Sequence, residues 1–356
     1  MLKRVALAAA LMAGGIFATY SHIQKPASFS PQKDAAHPAS PLLKGESATI
    51  AAVDFISPAD GWVVGVTVAK TGLWLSETIY HTVNGGKSWT AVATWDKTHP
   101  MPSPTPAVTG IAAISQLSFQ NARLGHALLF LGGGAGQAGY GVLSTADGGA
   151  KWRLETQKTL IGSDGPVGLN FPGQGETGWL ANGSFAGAYA LVARTNDNGT
   201  SWSTWSQVPT PEPSPAALSM HFSSRTSGFM VVGTNGYQKA RPSLRLLTTT
   251  DGGGLWRSRV MSAKGLSEWI AGVSFVNPRT GWVVGVSANH PYRLYHWSHG
   301  VWKSLPTPDA SQKSSPTLDL VTAKVAYVAQ QQSSRVTLWK TVNGGKDWAK
   351  VSFPLS

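Results

Sequence analysis

Side chains able to do chemistry are few in this 356-residue chain. Asp and Glu total 17 against 29 Lys and Arg, and there is no Cys. Thiol nucleophiles, Cys-ligated zinc, iron–sulfur clusters and disulfides are therefore excluded together. Hydrolysis of a glycosidic bond needs two carboxylates about 5–10 Å apart across one cleft, and the candidates outside the repeated loops include Asp54, Asp164, Glu176, Glu268 and Asp319. His290, His296 and His299 lie close together, but their spacing matches no zinc signature and no acid cluster adjoins them, so neither metal nor cofactor is expected. Gly134-Ala-Gly136-Gln-Ala-Gly139 has the spacing of a dinucleotide loop, yet Tyr140-Gly-Val-Leu143 leads into a strand rather than the helix such a site requires. We expect a flexible loop there. Gly86-Lys87-Ser88 looks like the end of a phosphate-binding loop, but His81 stands where the first Gly belongs.

Basic residues are more concentrated. Between Tyr237 and Val260, Lys239, Arg241, Arg245, Arg257 and Arg259 stand against the single acid Asp251. On a strand, Arg257 and Arg259 share one face. Guanidinium forks suit carboxylates and phosphates, so these five residues form the candidate partner-binding site. The plainer interpretation is a blade edge whose Lys and Arg discourage edge-to-edge pairing.

The elements that must position these groups are set by a repeat. An eight-residue string, Thr-x-Asp/Asn-x-Gly-x-x-Trp, occurs as Thr82-Val-Asn84-Gly-Gly86-Lys-Ser-Trp89, Thr145-Ala-Asp147-Gly-Gly149-Ala-Lys-Trp152 and Thr195-Asn-Asp197-Asn-Gly199-Thr-Ser-Trp202. It returns as Thr249-Thr-Asp251-Gly-Gly253-Gly-Leu-Trp256 and Thr341-Val-Asn343-Gly-Gly345-Lys-Asp-Trp348, with a shortened relative, His296-Trp-Ser-His-Gly300-Val-Trp302. Chemically this is a hairpin: Asp or Asn accepts loop N–H bonds, Gly supplies positive φ, and Trp covers the loop while its ring N–H finds an acceptor. An apolar-x-Phe strand and a Gly-aromatic-apolar strand precede each copy, as in Val53-Asp54-Phe55 and Gly61-Trp-Val-Val-Gly65, and the last pair reads Leu318-Asp319-Leu320 and Val325-Ala-Tyr-Val328. Asp54 and Asp319 thus occupy equivalent places, which argues for a repeated structural role rather than catalysis.

The eight-residue string is identified as the Asp-box, or bacterial neuraminidase repeat. Together with the paired Phe and Gly-Trp-Val-Val-Gly strands it resembles the extracytoplasmic propellers of the photosystem II stability/assembly factor group, over residues 48–356. That resemblance implies an assembly chaperone without a catalytic centre, whose arginine-rich surface meets an acidic segment of a client membrane protein. Asp-boxes also occur in sialidases, xyloglucanases and sorting receptors. The sialidase pattern places an Arg-Ile-Pro string before the first box, whereas here the only Arg before Thr82 is Arg4.

Composition agrees with a turn-dense, all-β chain: 40 Gly, 22 Pro, and 13% charged residues against the ~25% of soluble domains. Trp-to-Trp spacings of 63, 50, 54, 46 and 46 approach the ~40–50 residues of a four-stranded propeller blade. We therefore expect a β-propeller of six four-stranded blades over 48–356, with seven as the alternative. The wide first spacing is assigned to a Pro-rich surface loop at 96–108, and Lys350 to Phe353 to the final outer strand. Lys3 and Arg4 before the apolar run Val5 to Ala18 mark residues 1–21 as a signal peptide or N-terminal anchor, and 22–47 read as a flexible linker. The body is then extracytoplasmic, secreted or tethered. A formal charge of +12, or +10 without Lys3 and Arg4, suits an acidic protein face or an anionic cell-wall polymer, and export disfavours nucleic acid. The expected protein is a monomeric, non-enzymatic binder of a protein partner, with a scaffold for a membrane protein as its leading form. A carbohydrate-active or glycan-binding Asp-box protein is the alternative.

Overall fold

The computed structural model describes residues 42, 45–102, 113–134, 137–155, 167–173, 175–183, 189–209, 215–234, 244–262, 266, 269–286, 291–298, 300–309, 316–332 and 334–356. The expected signal, most of the linker, the Pro-rich stretch from 103 onward, and Asp164, Lys239, Arg241, Glu268, His290 and His299 lie outside the described residues.

The described residues form six four-stranded antiparallel sheets and no helix. Blade one is β1 (Glu46–Phe55), β2 (Gly61–Ala69), β3 (Trp74–Thr82) and β4 (Thr90–Asp96); blade two is β5 (Ala113–Phe119), β6 (Gly125–Gly134), β7 (Gln137–Thr145) and β8 (Arg153–Leu154). Blade three is β9 (Val167–Asn170), β10 (Gly178–Gly183), β11 (Tyr189–Thr195) and β12 (Ser203–Pro209); blade four is β13 (Pro215–Phe222), β14 (Gly228–Thr234), β15 (Leu244–Thr249) and β16 (Arg257–Met261). Blade five is β17 (Trp269–Asn277), β18 (Thr280–Val286), β19 (Arg293–Ser298) and β20 (Val301–Leu305); blade six is β21 (Thr317–Leu320), β22 (Ala326–Gln332), β23 (Arg335–Thr341) and β24 (Ala349–Val351). The first strands touch in cyclic order, and β21 meets β1, so the ring closes with six blades.

Two details depart from the sequence expectation. The last strand ends at Val351, because Phe353 and Leu355 turn inward and are buried between blades six and one. The Gly-rich segment is strand on either side of residues 135–136, which lie outside the described residues: β6 and β7 stay paired through Gly133 with Ala138 and Gly134 with Gln137. Glycine lets two backbones continue their ladder there, and the described residues on both sides are strand, not the helix start that a phosphate loop requires.

The Phe…Gly spacing has a steric cause. Phe55, Phe119 and Phe222 end their first strands, Phe171 follows β9 directly and Phe275 lies two residues before the end of β17; a Cβ on Gly61, Gly125, Gly178, Gly228 or Gly281 would overlap its own blade's phenyl ring. Blade six has Leu320 in place of Phe, and there the glycine is replaced by Ala326, its cross-strand partner. The aromatic residue after the glycine stacks on the next blade's Phe: Trp62 on Phe119 and Tyr327 on Phe55 at 3.6 Å, His126 on Phe171 at 3.5 Å, Trp179 on Phe222 at 3.9 Å. Each Phe also receives the edge of its own box Trp, as Phe55 does from Trp89 at 6.3 Å and 84°. The apolar core is consequently divided into six clusters, each between two neighbouring blades.

The boxes form the expected hairpins. In blade four, Thr249 Oγ1 donates to Asp251 Oδ1 at 2.8 Å and accepts from Gly253 N at 2.9 Å, while Asp251 accepts from Leu255 N at 3.0 Å. Gly252 and Gly253 have φ of 78° and 93°. Box three uses Asn198 at φ 59° for the first of these positions, the single non-glycine residue of positive φ among the described residues. Trp152, Trp202 and Trp256 donate their ring N–H to the carbonyl of their own box glycine at 2.8–2.9 Å. Trp302, in the shortened box, still meets Phe275 edge-on at 6.4 Å and 86°.

Candidate functional site

The first strands enclose a central channel with a cavity volume of ≈ 710 Å³. The residue before each of these Phe, or before Leu320, lines it: Asp54, Ser118, Asn170, His221, Ser274 and Asp319. Five of these six join blades by accepting a backbone N–H from the next one. Asp54 Oδ2 accepts from Phe119 at 2.6 Å, Ser118 Oγ from Phe171 at 3.1 Å and Asn170 Oδ1 from Phe222 at 2.9 Å. Ser274 Oγ accepts from Leu320 at 3.0 Å, and Asp319 Oδ2 from Phe55 at 2.9 Å, across the junction between the first and last blades. His221 holds the remaining place and packs against Phe229, ring centroids 5.5 Å apart.

Asp54 and Asp319 lie on neighbouring blades, and charge on Asp54 repels charge on Asp319. Burial raises the Asp54 carboxyl to about 7, the bond from Phe119 lowering it only in part. Burial and then repulsion from Asp54 raise Asp319 well above the usual carboxylate range. Both residues are half-buried in the channel wall. Sequence reasoning paired these two acids by position; it overlooked Ser118, Asn170, His221 and Ser274, whose shared signal is the middle place in apolar-x-Phe. It also missed Glu77 of β3, which is fully buried and raised by that burial to about 8. Its Oε1 accepts the Ile114 N–H of blade two at 2.8 Å.

Of the five basic candidates, Arg245, Arg257 and Arg259 are described. β16 is the outer edge of blade four, and its residues Arg257, Ser258, Arg259 and Val260 are all exposed. Arg257 pairs with Thr248 and Arg259 with Leu246, so the two share one face of the sheet as expected. Arg245 pairs with Val260 and therefore lies on the opposite face, where its Nη1 donates to Ser258 Oγ at 2.9 Å. The structure brings two of the five together and separates a third. Of the other named acids and histidines, Glu176 lies in the loop before β10 and His296 on β19.

No protein-family model matches the chain, and no curated protein does. Solved structures share its fold. The fucose-specific lectin from Aleuria aurantia is 10% identical, with a TM-score of 0.56 over 86% of this chain and 95% of that one. The alpha-L-arabinanase from Penicillium chrysogenum, complexed with arabinobiose, is 12% identical, with a TM-score of 0.53 over 86% and 96%. YCF48 bound to D1 peptide is 18% identical, with a TM-score of 0.47 over 88% and 86%. At these identities the likeness is one of propeller architecture, which hosts both binding and catalysis.

Proposed function

We propose that the protein is an exported, non-enzymatic propeller that binds a partner protein at the basic outer edge of blade four. The observation that supports this is the run from Arg257 to Val260: four exposed residues on an edge strand, with two guanidinium groups on one face. An edge strand offers backbone N–H and C=O groups to an extended segment, and the guanidinium forks select carboxylates on it. Neither Arg257 nor Arg259 is in an ion pair among the described residues. The channel acids are engaged in joining blades, which favours a structural role for them. Assembly or scaffolding of a membrane protein is the specific form of this proposal.

The test is crosslinking capture from intact source cells with tagged protein, repeated with Arg241, Arg245, Arg257 and Arg259 changed to Glu. Recovery of one defined membrane protein, lost on charge reversal, is the expected result. Recovery of wall polymer alone, or of nothing the reversal alters, refutes the edge. A second reading, glycan binding or cleavage, is favoured by one feature: Asp54 and Asp319 face one channel with pKa values raised toward the range of a general acid. Loss of wall-oligosaccharide turnover in both Asp54→Asn and Asp319→Asn would establish it.

A further inference from the structure

The hairpin tips of the Asp-box face carry isolated apolar side chains in consecutive blades. Val301 of blade five is 48% exposed, Val342 of blade six 63% and Val83 of blade one 67%. Leu255 of blade four, 78% exposed, continues the row. Each valine has an exposed lysine on the same hairpin: Lys303, Lys346 and Lys87. Blades two and three have Ala146 and Asn196 where blades one and six have Val83 and Val342, so the row is a crescent rather than a full circle.

Boxes one and six are near-copies, Thr-Val-Asn-Gly-Gly-Lys, on adjoining blades. Their Asn84 and Asn343 accept the loop N–H of Ser88 at 2.9 Å and of Asp347 at 3.0 Å, the bond Asp147 accepts from Lys151 at 2.8 Å. The hairpin geometry is thus served equally by acid or amide; the amide leaves box one without an acid beside Lys87, whereas in box six Asp347, which accepts from Asn343 Nδ2 at 2.8 Å, stands next to Lys346. Lys340 adds a further cation, held to the Pro58 and Gly85 carbonyls at 3.0 and 3.3 Å. Burial and then repulsion from the nearby Lys87 lower its pKa. None of Lys87, Lys303 and Lys346 is in an ion pair among the described residues.

We propose that this crescent docks on an anionic lipid bilayer, with Val83, Val301 and Val342 entering the headgroup region and Lys87, Lys303 and Lys346 meeting lipid phosphates. A folded partner concentrates its anchors in one packed, desolvated centre. Single apolar tips one blade apart, each beside a cation, instead fit a fluid interface that closes around every tip separately. The surface is distinct from Arg257 and Arg259, so it can fail while the partner-binding edge stands.

Because the chain has no Cys, a single introduced thiol can be labelled uniquely. Full-length Val342→Cys, Val83→Cys and Leu73→Cys are each labelled with the environment-sensitive dye NBD. Leu73 is 53% exposed in the hairpin at the opposite end of the sheets. With vesicles of phosphatidylcholine and phosphatidylglycerol at roughly 7:3, NBD at 342 and 83 is expected to brighten several-fold and shift blue, the effect fading at about 0.5 M NaCl. Lys87→Glu with Lys346→Glu should abolish the change, Lys87→Gln with Lys346→Gln should weaken it, and Arg257→Glu with Arg259→Glu should leave it intact. No change at 342 and 83, a change at 73 alone, an equal response to neutral vesicles, or a response to a Glu-rich peptide in place of vesicles would each overturn the proposal. A change at 73 alone would mean that the N-terminal apolar segment does the anchoring.

Discussion

Asp54→Asn should make the protein more stable at mildly alkaline pH, and the structure sets the scale. Asp54 titrates near 7 in the fold against 3.8 for an ordinary Asp, because burial in the channel wall disfavours its charge. The sign follows from the raised value. Below pH about 4 the carboxyl is protonated in both folded and unfolded chains; between about 4 and 7 the unfolded chain releases the proton first, so stability falls as pH rises and then levels off. A shift of about 3 units corresponds to ~4 kcal/mol at most, and water in the open channel reduces this to on the order of 1–2 kcal/mol. Asn supplies the same acceptor without the charge, as Asn170 does for Phe222 N at 2.9 Å. Neutralising Asp54 also relieves the repulsion that raises Asp319. Guanidinium unfolding followed by Trp fluorescence at pH about 5, 6.5 and 8 should therefore show wild type losing stability with pH faster than Asp54→Asn. The buried Glu77 adds its own slope to both proteins, so the difference between them is the quantity read. Equal slopes, or a variant less stable than wild type at pH about 8, would refute the desolvated-acid account.

Gly281→Ala should cost about 1–3 kcal/mol through overlap with the Phe275 ring. Adding Phe275→Leu should restore part of it, since blade six uses Leu320 with Ala326; a double-mutant cycle showing no coupling would contradict the steric pairing. Thr249→Val removes the acceptor for the buried Gly253 N–H and the donor to Asp251, and should lower stability by about 1–2 kcal/mol in the same unfolding assay. His126, stacked on Phe171 and bonded to Asn198, is lowered by burial to about 4; its ring protons in an NMR titration should hold their neutral shifts to well below pH 6, and titration near 6.5 would mean the ring is not buried.

Fold class, blade number and hairpin geometry were legible in the sequence because each rests on contacts a few residues apart. Thr249, Asp251, Gly253 and Trp256 build their loop within eight residues, and Phe275 meets Gly281 across one tight turn. The pairing of Arg257 with Arg259 on one face was equally local, since strand alternation alone requires it. The placement of Arg245 was not, because its face depends on the register of β15 against β16. Closure of the ring brought Asp319 to Phe55 across nearly the whole chain and set it beside Asp54, turning two separate aspartates into a coupled pair. Closure likewise put two Val-Asn-Gly-Gly-Lys tips, far apart in sequence, on adjoining blades. A repeat determines what each blade is through local sterics and hydrogen bonds; which side chains share a channel, a face or a charge environment is decided by how the blades are arranged around the axis.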